Sequence, residues 1–242
     1  MSKKIAMWSG PRNLSTAMMY SFASRSDTSV VDEPFYAAYL AKTGLIHPMN
    51  AEVLAAGDTD ANKVIDYCLG DNPESSSIFY QKHMTKHMIS SFSRDWITEL
   101  CNVFLIRDPG RVIASYHAKS EDPQLSDIGV KEQQELFDKV CQDTGQAPVV
   151  IDSADILENP ALMIKKLCEA IGITYQEQMM NWQLGPKPYD GVWAPHWYKS
   201  VWKSTGFGVA NRKVSVVPDH LQALLEEANE YYDKLKTHTL KV

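Results

Sequence analysis

Four groups of side chains in this sequence have the types and spacing for chemistry on an anion. Gly10-Pro11-Arg12-Asn13-Leu14-Ser15-Thr16 places a guanidinium and two hydroxyls in one turn. Arg107-Asp108-Pro109 is followed by Ser115, on the same helical face as Arg111 and Lys119. Asp32-Glu33-Pro34 and Lys82-His83 supply acid–base groups. A planar guanidinium flanked by hydroxyl donors suits a phosphate or sulfate. A carboxylate or an imidazole can take a proton from an attacking group, and a lysine beside it can stabilise a charged leaving group. Each group also has a plainer reading: a turn without a ligand, a solvated cap at Asp32 or Glu33, a structural His83, a solvated face around Ser115. His87 and His117 are weaker candidates, and no His, Cys and carboxylate set has metal-ligand spacing.

These groups need elements that bring them to one edge. The apolar run from Ile5 predicts a strand, the turn follows, and Ser15 and Thr16 open a helix reaching about Arg25. Strand, turn and helix in that order make an anion site, because free N–H groups and the helix dipole converge there. Thr28–Asp32 reads as a second strand ending in the carboxylates, Ser77–Gln81 as a third with Lys82-His83-Met84 beyond its end, and Cys101–Ile106 as a buried fourth ending in Arg107. Residues 35–72 look helical, without readable boundaries. Leu125 to Gly145 carries a helical stripe, residues 148–152 form a further strand, and helices follow from Asn159 to about Ile171 and from about Pro218 to Lys236. Strand and helix alternate, which predicts an α/β fold: a three-layer parallel sheet flanked by helices, in a single domain spanning 1–242.

From Asn181 to Arg212 the composition changes. Trp182, Trp193, Trp197 and Trp202 are four of the six tryptophans, set among prolines and glycines. The stretch 181–213 reads as a lid or wall, with Lys203, Ser204 and Thr205 offering donors to an anion and Arg212 and Lys213 as weaker candidates. An arm packing its rings into the core is the plainer alternative.

The chain has 242 residues, 44% of them apolar, and a formal charge of −6. That charge argues against nucleic acid and against a polybasic membrane surface, so basic residues must be gathered locally. Cys68, Cys101, Cys141 and Cys168 lack C-x-x-C spacing and read as reduced thiols. No stretch has the length of a membrane span, and the expected location is the cytoplasm. The sequence leaves the oligomeric state open.

Pro11-Arg12-Asn13-Leu14-Ser15-Thr16 resembles the P-[KR]-S-G-[ST]-[ST] phosphosulfate loop of the P-loop-type sulfotransferase family. Arg107-Asp108-Pro109 with Ser115 resembles that family's 3′-phosphate motif in residue type and spacing. The resemblance implies transfer of a sulfuryl group from 3′-phosphoadenosine 5′-phosphosulfate (PAPS) to a hydroxyl or amine of a small acceptor, without a metal, leaving adenosine 3′,5′-bisphosphate. It implies that Arg12, Ser15 and Thr16 hold the phosphosulfate, with Gly10, Pro11, Asn13 and Leu14 completing the loop, and that Arg107 and Ser115 clamp the 3′-phosphate. Glu33 resembles the Glu-Pro position of the carbohydrate-type and bacterial enzymes, and His83 after Lys82 resembles the cytosolic enzymes; the pattern at Glu33 is the closer. Leu14 and Asn13 depart from the family's Gly and Ser, and the late G-x-x-G-x-W-K element is absent as such, with Trp202-Lys203-Ser204-Thr205-Gly206 in its place.

Two other classes remain in view. A small-molecule or nucleotide kinase needs G-x-x-x-x-G-K-[ST], and from Gly10 the required positions hold Ser15, Thr16 and Ala17. An inactive nucleotide-binding protein of the same fold is the other.

Overall fold

A computed structural model describes residues 2–72, 74–118, 122–209 and 216–241. Five strands, β1 (Lys3–Ser9), β2 (Thr28–Asp32), β3 (Ile78–Met84), β4 (Cys101–Ile106) and β5 (Val149–Asp152), pair in parallel in the order β2-β3-β1-β4-β5. Helix α1 (Ser15–Ala23) joins β1 to β2, and α2 (Tyr36–Thr43), α3 (Asn50–Ala56) and α4 (Ala61–Leu69) join β2 to β3. Between β4 and β5 lie α5 (Pro109–His117), α6 (Leu125–Ile128) and α7 (Val130–Thr144). After β5 come α8 (Ser153–Glu158), α9 (Pro160–Ala170), α10 (Ala194–Trp197) and α11 (Gln222–Lys236). This is the three-layer α/β sandwich that the alternation of apolar runs and helical stripes predicts.

The layers follow from strand periodicity. Ile5 and Met7 pack with Met18 and Phe22 of α1 and with Met163 and Leu167 of α9. Ala6 and Trp8, one residue out of phase, pack with Phe137 of α7 and Leu235 of α11. Successive side chains leave a strand on opposite faces, so a central strand covered on both sides must be apolar throughout. Each large side chain so buried stabilises the fold by about 1.5–3 kcal/mol.

Three boundaries differ from the sequence reading. Strand β3 runs through Lys82, His83 and Met84, because β2 and β1 both pair along it, with Asp32 opposite Lys82 and Trp8 opposite His83. The stripe from Leu125 is two helices, broken at Gly129, where φ is +70°. Residue 129 admits only glycine for a second reason: a Cβ there would lie 2.8 Å from Thr85 Oγ1. The last helix begins at Gln222 rather than near Pro218, after a 3-10 turn at Asp219–Leu221.

Among the described residues no helix is long and apolar enough to cross a membrane, and no three His, Cys, Asp or Glu side chains gather as a metal-holding set. The four cysteines are free thiols.

Candidate active site

In open α/β sheets ligands bind beyond the carboxyl ends of the strands. Here that edge opens into a cavity of about 660 Å³. Its wall includes Arg12, Ser15 and Thr16 after β1, Glu33 after β2, Lys82 at the end of β3, and Arg107 and Ser115 after β4.

The two arginine motifs meet directly. Arg107 Nη1 donates to the Arg12 carbonyl oxygen, and Arg12 Nε donates to Ser115 Oγ at 3.0 Å. Burial lowers the Arg107 pKa, and the neighbouring charges of Arg111 and Arg12 lower it further. Gathered cations of this kind favour an anion between them. The turn that carries Arg12 is built for the same purpose. Arg12 (φ +59°) and Leu14 (φ +61°) both adopt left-handed backbone, a conformation that costs an L-residue roughly 1–2 kcal/mol. Leu14 thus takes the backbone shape that glycine takes easily, and its side chain packs against the core layer that holds α1. No side chain caps α1 and no acidic residue stands in its first turn. The first N–H groups of that helix therefore point at the cavity without a side-chain cap, a ready seat for a phosphate-like group. Asn13 turns inward and donates to the Leu105 carbonyl oxygen at 2.5 Å. Gly10 lies beneath α6, so close that a Cβ would fall 2.4 Å from the Ile128 carbonyl oxygen.

Opposite these lies a buried charge cluster. Lys82, only 1% exposed, places its Nζ 2.8 Å from Asp32, 2.6 Å from Glu33 and 2.6 Å from the Tyr198 hydroxyl. The Tyr198 hydroxyl donates to Asp32 at 2.8 Å and accepts from Trp193 Nε1 at 3.2 Å. Burial opposes the Lys82 charge, but the carboxylates of Asp32 and Glu33 outweigh it and hold its pKa well above the ordinary lysine value. Glu33 moves up from the carboxylate range, first through burial and then through the Asp32 charge, against the pull of Lys82. Its backbone is also strained, at φ +42°, in the way that positioned active-site residues often are. A carboxyl with a raised pKa at the wall of a cavity shared with two arginines is a candidate proton acceptor.

The remaining sequence candidates divide. His83 does not reach the cavity. The continued strand sends Lys82 to one face and His83 to the other, where its ring stacks on Trp8 at 4.4 Å and Nε2 donates to Gln81 Oε1 at 3.0 Å. Burial pushes the His83 pKa down to about 3, so the imidazole is neutral. Ser204 lines the cavity and donates to the Val201 carbonyl oxygen at 2.7 Å, whereas Lys203 and Thr205 are exposed and outside its wall. Lys119, Arg212 and Lys213 lie outside the described residues. The aromatic stretch contributes more than its position in the sequence announced. Trp193 and Tyr198 are buried against Tyr36 and Tyr39 of α2, and Gly191 N donates to Asp32 at 3.0 Å. Sequence reasoning missed Lys86, Asp127 and Tyr116 in the wall and gave little weight to His87. Only Lys86, just past a charged strand end, had a position that could have drawn notice.

A family described as "Sulfotransferase domain" matches residues 3–239. The curated relative "Branched-chain-amino-acid aminotransferase-like protein 1" of Arabidopsis thaliana is 37% identical over 235 residues, 97% of this chain but 42% of that protein. "Branched-chain-amino-acid aminotransferase-like protein 2" of the same plant is 34% identical, over 97% of this chain and 41% of that protein. The chain thus spans less than half the length of these curated relatives. Among solved structures, the "Sulfotransferase Domain from the Synechococcus PCC 7002 Olefin Synthase" is similar with a TM-score of 0.60 at 13% identity, covering 96% of each chain. The "Sulfotransferase Domain from the Curacin Biosynthetic Pathway" is similar with a TM-score of 0.58 at 14% identity, covering 96% of this chain and 98% of that one. At such identities the likeness concerns the fold.

Proposed function

The chain belongs to the sulfotransferase domain family, and from that premise we propose that it moves a sulfuryl group from PAPS to a hydroxyl or amine of a small acceptor. The observation that carries this reading is the meeting of Arg12 and Arg107 on one cavity whose far wall holds Glu33 and Lys82. A nucleotide with an anionic group at each end needs two cationic seats, and the motifs after β1 and β4 offer them side by side.

When bound, PAPS supplies a sulfur that takes the acceptor oxygen or nitrogen while its bond to the 5′-phosphate oxygen breaks, releasing adenosine 3′,5′-bisphosphate. Arg12, the hydroxyls of Ser15 and Thr16 and the first N–H groups of α1 hold the 5′ end of the nucleotide. Arg107 and Ser115 hold the 3′-phosphate, and Ser204 adds a hydroxyl at the rim. Glu33 receives the proton of the attacking group. Lys82 orients Glu33 through its 2.6 Å contact, and Tyr198 and Asp32 fix Lys82 from the other side. A sulfuryl group carries less negative charge than a phosphoryl group, so fixed cations and backbone donors suffice for in-line transfer.

Calorimetry with adenosine 3′,5′-bisphosphate, Mg–ATP and AMP tests the donor. Tight bisphosphate binding, lost in Arg107→Ala, is expected; magnesium-dependent ATP binding instead would identify a kinase. Turnover of labelled PAPS tests the base. Glu33→Gln should keep bisphosphate binding and lose at least a hundredfold in kcat. The wild-type rate should rise with pH as Glu33 deprotonates, with a midpoint above the ordinary carboxylate range. Activity that survives Glu33→Gln and dies in His83→Ala would reverse the assignment.

A further inference from the structure

One cation in the cavity wall has no part in the scheme above. Lys86 follows β3 by two residues, in the 3-10 turn Thr85–His87. Its backbone is pinned, since Gly129 packs against Lys86 N and Cβ while Thr85 Oγ1 donates to the Gly129 carbonyl oxygen at 2.7 Å. Lys82, four residues earlier, makes two ion pairs and a third polar contact. Lys86 lines the same cavity, yet none of the ion pairs among the described residues includes it. Burial lowers its pKa, and the opposing pull of the charges of Asp127, Glu33 and Glu132 does not restore it. A half-buried ammonium without a counterion is costly unless a ligand provides one.

The neighbours of Lys86 locate it at the acceptor end. The charges acting on it are those of Glu33, Asp127 and Glu132, whereas Arg107 feels Arg111, Arg12, Asp108 and Asp152. Around it stand flat rings. His87, 2% exposed, is stacked on Tyr36 at 4.6 Å and on Tyr39 at 4.8 Å, with its buried Nδ1 unpartnered. Trp193 stands edge-on to Tyr36 at 5.1 Å. Burial keeps His87 and His47 neutral, with the His47 pKa pushed down to about 4. This end of the cavity therefore combines one uncompensated positive charge with an aromatic lining.

Resting on the sulfotransferase reading, we propose that the acceptor is an aromatic or similarly flat hydroxy acid, whose carboxylate pairs with Lys86 and whose body lies along Tyr36, His87 and Trp193. The carboxylate supplies the counterion that Lys86 lacks, and the rings orient the hydroxyl toward Glu33.

The test uses 4-hydroxyphenylacetate and its neutral isostere 4-hydroxyphenylacetamide as probes, titrated calorimetrically into the protein with and without saturating adenosine 3′,5′-bisphosphate. Wild type should bind the acid at least tenfold more tightly than the amide. Lys86→Met should abolish that preference without changing amide or bisphosphate affinity, and Lys86→Arg should restore part of it. Equal affinity for the two probes, no affinity for the acid, or a preference that survives Lys86→Met would overturn the proposal. Loss of bisphosphate binding in Lys86→Met would assign the lysine to the donor and overturn it too. If the bisphosphate fails to bind wild type, the donor reading fails, while the acid–amide comparison without nucleotide still decides the role of Lys86.

Discussion

At the scale of single residues, buried histidines lower the acid stability of the fold, and His83 of β3 is one of them. His83 is 2% exposed and its pKa lies near 3, against 6.5 for an ordinary histidine. Above pH 6.5 it is neutral whether the chain is folded or not, and its effect on stability is nil. As pH falls below 6.5 the unfolded chain takes a proton that the folded chain refuses, so stability drops by about 1.4 kcal/mol per pH unit for this one residue. Urea unfolding should therefore give a lower midpoint at pH 5 than at pH 7, and His83→Gln should reduce the difference, leaving the part that His87 and His47 contribute. The same residue shows what can be read from sequence. Arg12, Arg107 and Ser115 were legible because each belongs to a motif in which residue type and spacing agree. His83 was not, because the side of a strand on which a residue emerges depends on where pairing stops. Pairing of β3 continues through three more residues, Lys82, His83 and Met84, and so sends Lys82 and His83 to opposite faces. Leu14 was legible as a departure from glycine but not in its outcome, since the backbone adopts the left-handed shape regardless and the side chain gains contacts in the core.

At the scale of elements, α6 acts as a brace on the turn that carries Gly10 and Arg12. The Ile128 carbonyl oxygen rests where a side chain at residue 10 would stand, so only glycine fits there. Gly10→Ala should push α6 from the turn and cost about 1–3 kcal/mol, the range for overpacking a close contact. A thermal melt with and without adenosine 3′,5′-bisphosphate measures this: the variant should melt lower, and the nucleotide should raise its Tm less than that of wild type. The strands and the helices α1, α5 and α9 were readable from apolar runs, Asp108-Pro109 and Asn159-Pro160. The three helices between β2 and β3 were not, because α3 turns almost all of its surface to solvent, with Val53 its one buried residue. The break at Gly129 was hidden as well, for the helical stripe continues across it and only tertiary contact with Thr85 requires the glycine.

For the whole molecule, two carboxylates attach the aromatic stretch after α9, Asp32 to strand β2 and Asp190 to helix α1. Asp32 accepts from Gly191 N and from Tyr198, and Asp190 accepts from Tyr20, from Trp202 Nε1 at 2.9 Å and from Lys187 N at 2.8 Å. Composition marked this stretch as special without saying whether it covers a ligand or fills the core. The structure shows that it lines the cavity and packs its rings at once. Asp190→Ala would leave the Tyr20 hydroxyl and the Trp202 N–H without their acceptor, at about 1–3 kcal/mol for each buried donor. Trypsin should then cut after Lys187, Lys199 or Lys203 faster than in wild type, while far-ultraviolet circular dichroism stays unchanged. Equal cleavage rates would show that the segment is held by its rings alone.

Lys82 stands between two carboxylates, so the trio carries one surplus negative charge before an acceptor arrives. On the role proposed for Glu33, capture of a proton removes the surplus and leaves the trio electroneutral. A charge cluster that reaches balance by taking a proton has no electrostatic reason to give it back. In that proposed role, returning the hydrogen ion to solvent is a separate event in each turnover, and it readies the site for the next encounter.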